Sequence, residues 1–264
     1  MSPTPATTLE LRRPSAHVAE VWLDRPDVRN AFNEQLIAEL TATFEALARD
    51  EALRVVVLGG RGRSFCAGAD LNWMREMAGY SRARNQADAQ ALADMLWTIH
   101  RCPVPVIARL HGDCHAGGVG LAAVCDVLVA SNTVHFCLSE ARLGLLPATI
   151  GPYVVRAMGV RAAQRYFVTA ERFSAAEAHQ LGLVHELSPP DQLDDRVAAL
   201  VAALVANGPA AVRASKRLVQ DLAVAPIDAA LREETARRIA DIRSSPEGRE
   251  GVSSFLERRP PSWT

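Results

Sequence analysis

Glu140 stands in the run HFCLSEARLGL, among Phe136, Leu138, Leu143, Leu145 and Leu146. A carboxyl buried in such surroundings without a cationic partner has its pKa raised by desolvation, which suits a group that must both take and give a proton. Arg142, close by in the chain, is placed to supply that partner and cancel the effect. On residue type alone, a lone glutamate between apolar residues is more often a helix-start or surface group. Two other stretches offer chemistry of a different kind: HGDCHAGGVGLAAVCD, from His111 to Asp126, and RGRSFCAGADLNWM, from Arg61 to Met74. Each follows an apolar run with small residues and then a helical pattern. Such turns leave backbone N–H groups without partners at a helix start. Two of them after two strands of one sheet can converge on one carbonyl oxygen, which is the design of an oxyanion hole. The amides of Ala69 and Gly117 are the expected donors. The same glycines also fit a plain packing turn between helix and strand.

Metal and nucleophile chemistries find less support. His111, His115 and His135 are the histidines near these stretches, without metal-ligand spacing or a GxSxG elbow. No metal and no separate cofactor is expected.

The elements that must hold these groups follow from periodicity. Thr8 to Arg13 and His17 to Leu23 alternate and read as a hairpin, broken by Asp24-Arg25-Pro26-Asp27. Asn33 caps a predicted helix to about Asp50, with Leu36, Ile37, Leu40, Phe44 and Leu47 on one face. Val55–Leu58 and Val106–Leu110 read as buried strands, separated by a helix from about Ala83 to His100. Val127–Ala130, Val134–Phe136 and Val184–Leu187 are further short strands. From Ile150 the pattern is mainly helical, with a capping box at Ser174–Glu177 and helices over 191–206, 209–222, 227–243 and from Ser245 onward. The order of elements predicts an α/β core over residues 1–190 and a helical region over 191–264.

The combination of RPDVRNAF, SFCAGADL, HGDCHAGGVGLAAVCD and SEARLGL resembles the crotonase family, the enoyl-CoA hydratase/isomerase superfamily. The resemblance runs from about Leu9 to the Phe255–Arg259 tail. Its motifs are specific as a set, although each alone is weak. The phrase FCLSEARLGLLPATIGPYVVRAMG further resembles bacterial hydratases of branched, carboxylated enoyl-CoA esters, the methylglutaconyl-CoA hydratases. The resemblance implies a ββα spiral core, a helical C-terminal trimerisation region, and assembly as a homotrimer or dimer of trimers. It implies an acyl-CoA thioester substrate, with Val28, Ala31, Ala67, Ala69, Asp70, Leu71, Gly117 and Gly120 at the binding site. It reverses the ordinary expectation for Glu140, which matches the second of the family's two catalytic glutamates. The first falls on Gly120, so the two-glutamate mechanism does not transfer. Hydration through Glu140 alone leads; isomerisation of a double bond from C3 to C2 through the same carboxyl is the alternative, and a silent acyl-CoA-binding or RNA-binding relative is a third.

The chain has 264 residues, 49% hydrophobic, with a formal net charge of −1. That balance supplies no general attraction to nucleic acid or an anionic membrane, and neither is an expected partner. Five cysteines without a CxxC pair argue against disulfides or zinc and for a reducing, cytoplasmic setting, with all five as small buried hydrophobes.

Overall fold

The computed structural model describes residues 8–264. Five parallel strands make up all but one of the strands of the larger sheet. In chain order the strands are β1 (Leu9–Ser15), β2 (Val18–Leu23), β3 (Val55–Gly60), β4 (Val106–Leu110), β5 (Cys114–His115), β6 (Val127–Ser131), β7 (His135–Cys137), β8 (Arg172–Ser174) and β9 (Glu186–Ser188). The helices are α1 (Glu34–Ala48), α2 (Leu71–Met77), α3 (Arg82–His100), α4 (Gly117–Ala123), α5 (Gly151–Thr169), α6 (Ala175–Gln180), α7 (Leu193–Ala206), α8 (Pro209–Leu222), α9 (Ala229–Ser244) and α10 (Pro246–Glu257).

The six-stranded sheet runs β1-β2-β3-β4-β6-β9, antiparallel only between β1 and β2. Every residue of β3 is buried, as a parallel strand covered on both faces requires. On one face lies the main core, where α1 contributes Leu36, Ile37, Leu40, Phe44 and Leu47. The Asn33 side chain starts that helix by accepting from the Leu36 amide at 2.9 Å. On the other face α7 packs Leu193 and Val197 against Val55, Val57, Ile107 and Val129. The smaller sheet has the order β5-β7-β8, with β7 parallel to β5 and antiparallel to β8. The expected hairpin, helices and capping box are present, with the Ser174–Glu177 box reciprocally bonded. All five cysteines are free and buried. Among the described residues no single helix is long and apolar enough to cross a membrane.

Lys216 ties α8 to this body. It is 7% exposed, bonds Asp126 at 2.7 Å, and donates to the Val104 carbonyl at 3.0 Å. Asp126 in turn accepts from the Val106 amide at 2.7 Å, so one carboxylate fastens both the entry of β4 and the helical region.

Candidate active site

The two small-residue turns are stitched together by the backbone. Phe32 donates to the Gly68 carbonyl at 2.7 Å and accepts from the Asp70 amide at 2.8 Å. Cys66 accepts from the His115 amide at 2.9 Å, and Cys137 accepts from the Ala116 amide at 2.8 Å. Gly68, at φ +88°, lies so close to the second turn that a Cβ there would stand 2.9 Å from the Ala116 Cβ and 3.6 Å from the Gly117 nitrogen. The two turns therefore abut. Within this stitching the amides of Ala69 and Gly117 donate to no backbone carbonyl among the described residues. Gly117 opens α4, where an amide has no acceptor inside the helix. Ala116, before it, sits at φ 47° and ψ −121°, a conformation unfavourable for a residue with a side chain. Strain of that kind costs on the order of 1–3 kcal/mol and collects at functional sites.

The loop before α1 completes the wall. Asn30, at φ 56° and fully buried, accepts from the Arg25 amide and donates to the carbonyls of Arg61 and Ser64, each at 2.9 Å. Arg25 also donates to the Ala31 carbonyl, and it meets Asp70 at 2.9 Å with its side chain 18% exposed. Arg25 thereby clips this loop to the first amide turn. Burial pushes the Asp70 carboxyl up, but the amides of Asn72 and Trp73 and the Arg25 guanidinium outweigh it and hold the pKa below the usual range. Asp70 also caps α2.

Val28, Ala31, Ala67, Ala69, Asp70 and Leu71 all line one cavity of about 460 Å³, together with Arg29 and Arg75. Val28 and Leu71 present exposed apolar surface there, and the two arginines supply positive charge. Gly117 and Gly120 lie outside its lining. Gly117 faces the Phe32 ring, and Gly120 is buried against Ile150.

Glu140 opens a 3-10 turn, Glu140–Leu143, three residues after the carbonyl that fixes Ala116. Its Oε2 is buried with no hydrogen-bond partner. Burial raises its pKa, opposed only by its own backbone amide. Arg142 is not its partner: that guanidinium donates to the Ala170 carbonyl at 2.6 Å. Asp113, the nearby acid in sequence, is engaged elsewhere. It accepts from the His135 amide at 3.0 Å and from Arg172 at 2.8 Å. His115 Nε2 stands 3.6 Å from Asp113 without forming a hydrogen bond, and burial lowers its pKa. The apolar run around Glu140 divides. Phe136 and Leu138 are buried, whereas Leu143, Leu145 and Leu146 are exposed.

The structural parts played by Asn30 and Ala116, and the packing of Ile150 on Gly120, are not visible in the sequence patterns. Only Asn30 carries a local signal, since asparagine in a loop tolerates the left-handed conformation.

A buried carboxyl with one oxygen unpartnered, and two stitched turns whose amides meet no backbone carbonyl among the described residues, on a spiral of parallel strands, fit an acyl-group enzyme of the crotonase fold. The profile of the enoyl-CoA hydratase/isomerase family matches residues 13–264. The chain is 33% identical over 244 residues to the 2,3-dehydroadipyl-CoA hydratase of Escherichia coli, covering 91% of this chain and 92% of that one. The crystal structure of an enoyl-CoA hydratase from Shewanella pealeana superimposes with a TM-score of 0.94 at 40% identity, covering 98% of this chain and 96% of that one. One from Mycobacterium smegmatis gives 0.92 at 38%, covering 97% and 98%. The chain belongs to the enoyl-CoA hydratase/isomerase family and is an enzyme of it.

Proposed function

We propose that this enzyme adds water across the C2–C3 double bond of an α,β-unsaturated acyl-CoA thioester, with Glu140 moving both protons. The observation that carries this reading is the buried Glu140 Oε2 without a hydrogen-bond partner, in the segment whose Cys137 carbonyl holds Ala116, together with Ala69 and Gly117 amides that donate to no backbone carbonyl among the described residues. The thioester oxygen accepts from those two amides, and the nucleotide part lies along the cavity from Val28 to Leu71. Glu140 as carboxylate takes a proton from water while the water oxygen bonds C3. The electron pair of the double bond passes to the thioester oxygen as an enolate, held by the two amides. The enolate then returns that pair to C2, where it takes the proton from Glu140, and water has been added in full. A raised pKa serves both halves, since one group must act first as base and then as acid.

The acyl group in this reading is branched, of the methylglutaconyl type. The FCLSEARLGL segment and its continuation support it, while the likeness to a relative named for a dehydroadipyl ester, an unbranched diacid, supports only the terminal carboxylate. The exposed leucines after Glu140 are covered by further copies of the chain, in a trimer or dimer of trimers. Isomerisation is the second reading, favoured by Gly120, because a single carboxyl suffices to carry a proton between C2 and C4.

Turnover in heavy-oxygen water separates them. Hydration places labelled oxygen on C3 of a 3-hydroxyacyl-CoA, with the branched glutaconyl ester used faster than crotonyl-CoA. An unlabelled, shifted alkene as sole product from a C3 alkene substrate would overturn hydration in favour of isomerisation.

A further inference from the structure

Gly117 and Gly120 are three positions apart on α4, so their Cα atoms share a face, about 60° apart in azimuth and about 4.5 Å along the axis. A side chain at 120 would therefore rise one turn along from the amide offered to the thioester oxygen. Ile150 fills that direction. A Cβ built on Gly120 would fall inside the envelope of the Ile150 Cγ2 and Cβ atoms, and stand 3.5 Å from its Cα. Ile150 cannot easily yield. It is 1% exposed, and its carbonyl accepts the amides of Tyr153 and Val154, each at 3.1 Å, as the first acceptor of α5. Its β-branched side chain is also stiff about χ1. Gly120 is thus the residue that Ile150 permits, and the two form a matched pair.

We propose that Ile150 determines specificity in this site: its side chain takes the space that a side chain at 120 would occupy beside the Gly117 amide, and leaves Glu140 the one carboxyl at the reacting carbons. The inference rests on the hydratase reading. It deepens that reading by making the wall one turn from the oxyanion donor hydrocarbon rather than polar. Such a wall tolerates an apolar substituent on the acyl chain and gives the attacking water one anchoring carboxylate.

The test compares wild type with Gly120→Glu, Ile150→Gly and the double variant, by thermal melting and by the pH profile of kcat/KM on crotonyl-CoA. Gly120→Glu alone is expected to lower Tm by about 5 °C or more, as overpacking does. The double variant should recover at least half of that loss. It should also hydrate crotonyl-CoA about tenfold faster than Ile150→Gly, with a second carboxyl ionisation in its profile that the single variant lacks. A structural role alone would restore Tm but not alter the profile. Gly120→Glu as stable as wild type, or a double-variant profile superimposable on that of Ile150→Gly, would overturn the proposal. If wild type hydrates no enoyl thioester, the hydratase reading fails, while the melting comparison still decides whether Ile150 holds the space.

Discussion

Glu140 holds a buried carboxyl oxygen with no partner, so ionising it charges a site that offers neither a cation nor a hydrogen-bond donor to that atom. Its folded-state pKa lies above the unfolded value. Between the two, the folded chain binds the extra proton, and stability falls as pH rises through that window. Glu140→Gln should therefore melt higher than wild type at pH 8 while losing about 10²–10⁴ in kcat. Its affinity for the acyl-CoA should persist, because the amide keeps the shape but not the base. Melting curves and equilibrium binding check both halves, and a more active or less stable variant would sink the assignment. In wild type the acid limb of kcat/KM should lie above the ordinary carboxylate range. The amide donors are tested separately. Gly117→Pro removes one N–H and should cost about 10²–10³ in rate. Gly117→Ala keeps that N–H and brings a Cβ to 3.1 Å from the Phe32 ring, so it controls for crowding. Equal losses in both, with folding confirmed by circular dichroism, would place the effect in packing rather than in the amide.

Between residues and fold, the loop joining β2 to α1 does the positioning. Its two left-handed residues, Arg29 and Asn30, turn the chain so that Asn30 bonds the far side of the β3–α2 connection and Ala67 donates to the Arg29 carbonyl at 3.0 Å. Asn30→Ala strips three hydrogen bonds from a buried site and should destabilise by about 2–4 kcal/mol. A urea titration reads this, and a loss under 1 kcal/mol would mean that water replaces those bonds. Elements of this kind mark how much the sequence discloses. The hairpin, α1, β3 and α3 follow from periodicities long enough to count, and the Ser174 capping box follows from two residue types at fixed spacing. β5 and β8, two and three residues long, have no period to detect, and only their pairing with β7 makes them strands. The amide turns are legible because small residues follow apolar runs. The Arg25 clip and the Gly120–Ile150 contact are not, since each joins positions that meet only after folding. Glu140 was legible as an acid in an apolar run, but its isolation depended on where Arg142 points.

Over the whole molecule, exposed apolar surface gathers in the segment after Glu140. Leu145 and Leu146 flank a cavity of about 500 Å³ with Phe167 and Val168, and Leu146 is 74% exposed. Farther along the chain, Ile227 is 91% exposed, and Phe255 and Leu256 stand out from α10. Scattered apolar residues are ordinary on a surface, but clusters of this kind mark association. The patch begins one residue after Glu140, in the segment that turns the chain from that carboxyl into α5. Covering it with a second copy would shield the carboxyl further from water and fix the turn that aims it. Association and activity should therefore fail together. Sedimentation at micromolar concentration is expected to show a trimer or dimer of trimers, and Leu146→Asp with Val168→Asp should shift it to monomer with at least a tenfold loss of hydration. The single Glu140→Gln variant should remain assembled, separating lost chemistry from lost contact. A stable wild-type monomer with full activity would show that these leucines serve another purpose, and that the turn bearing Glu140 is rigid without a partner.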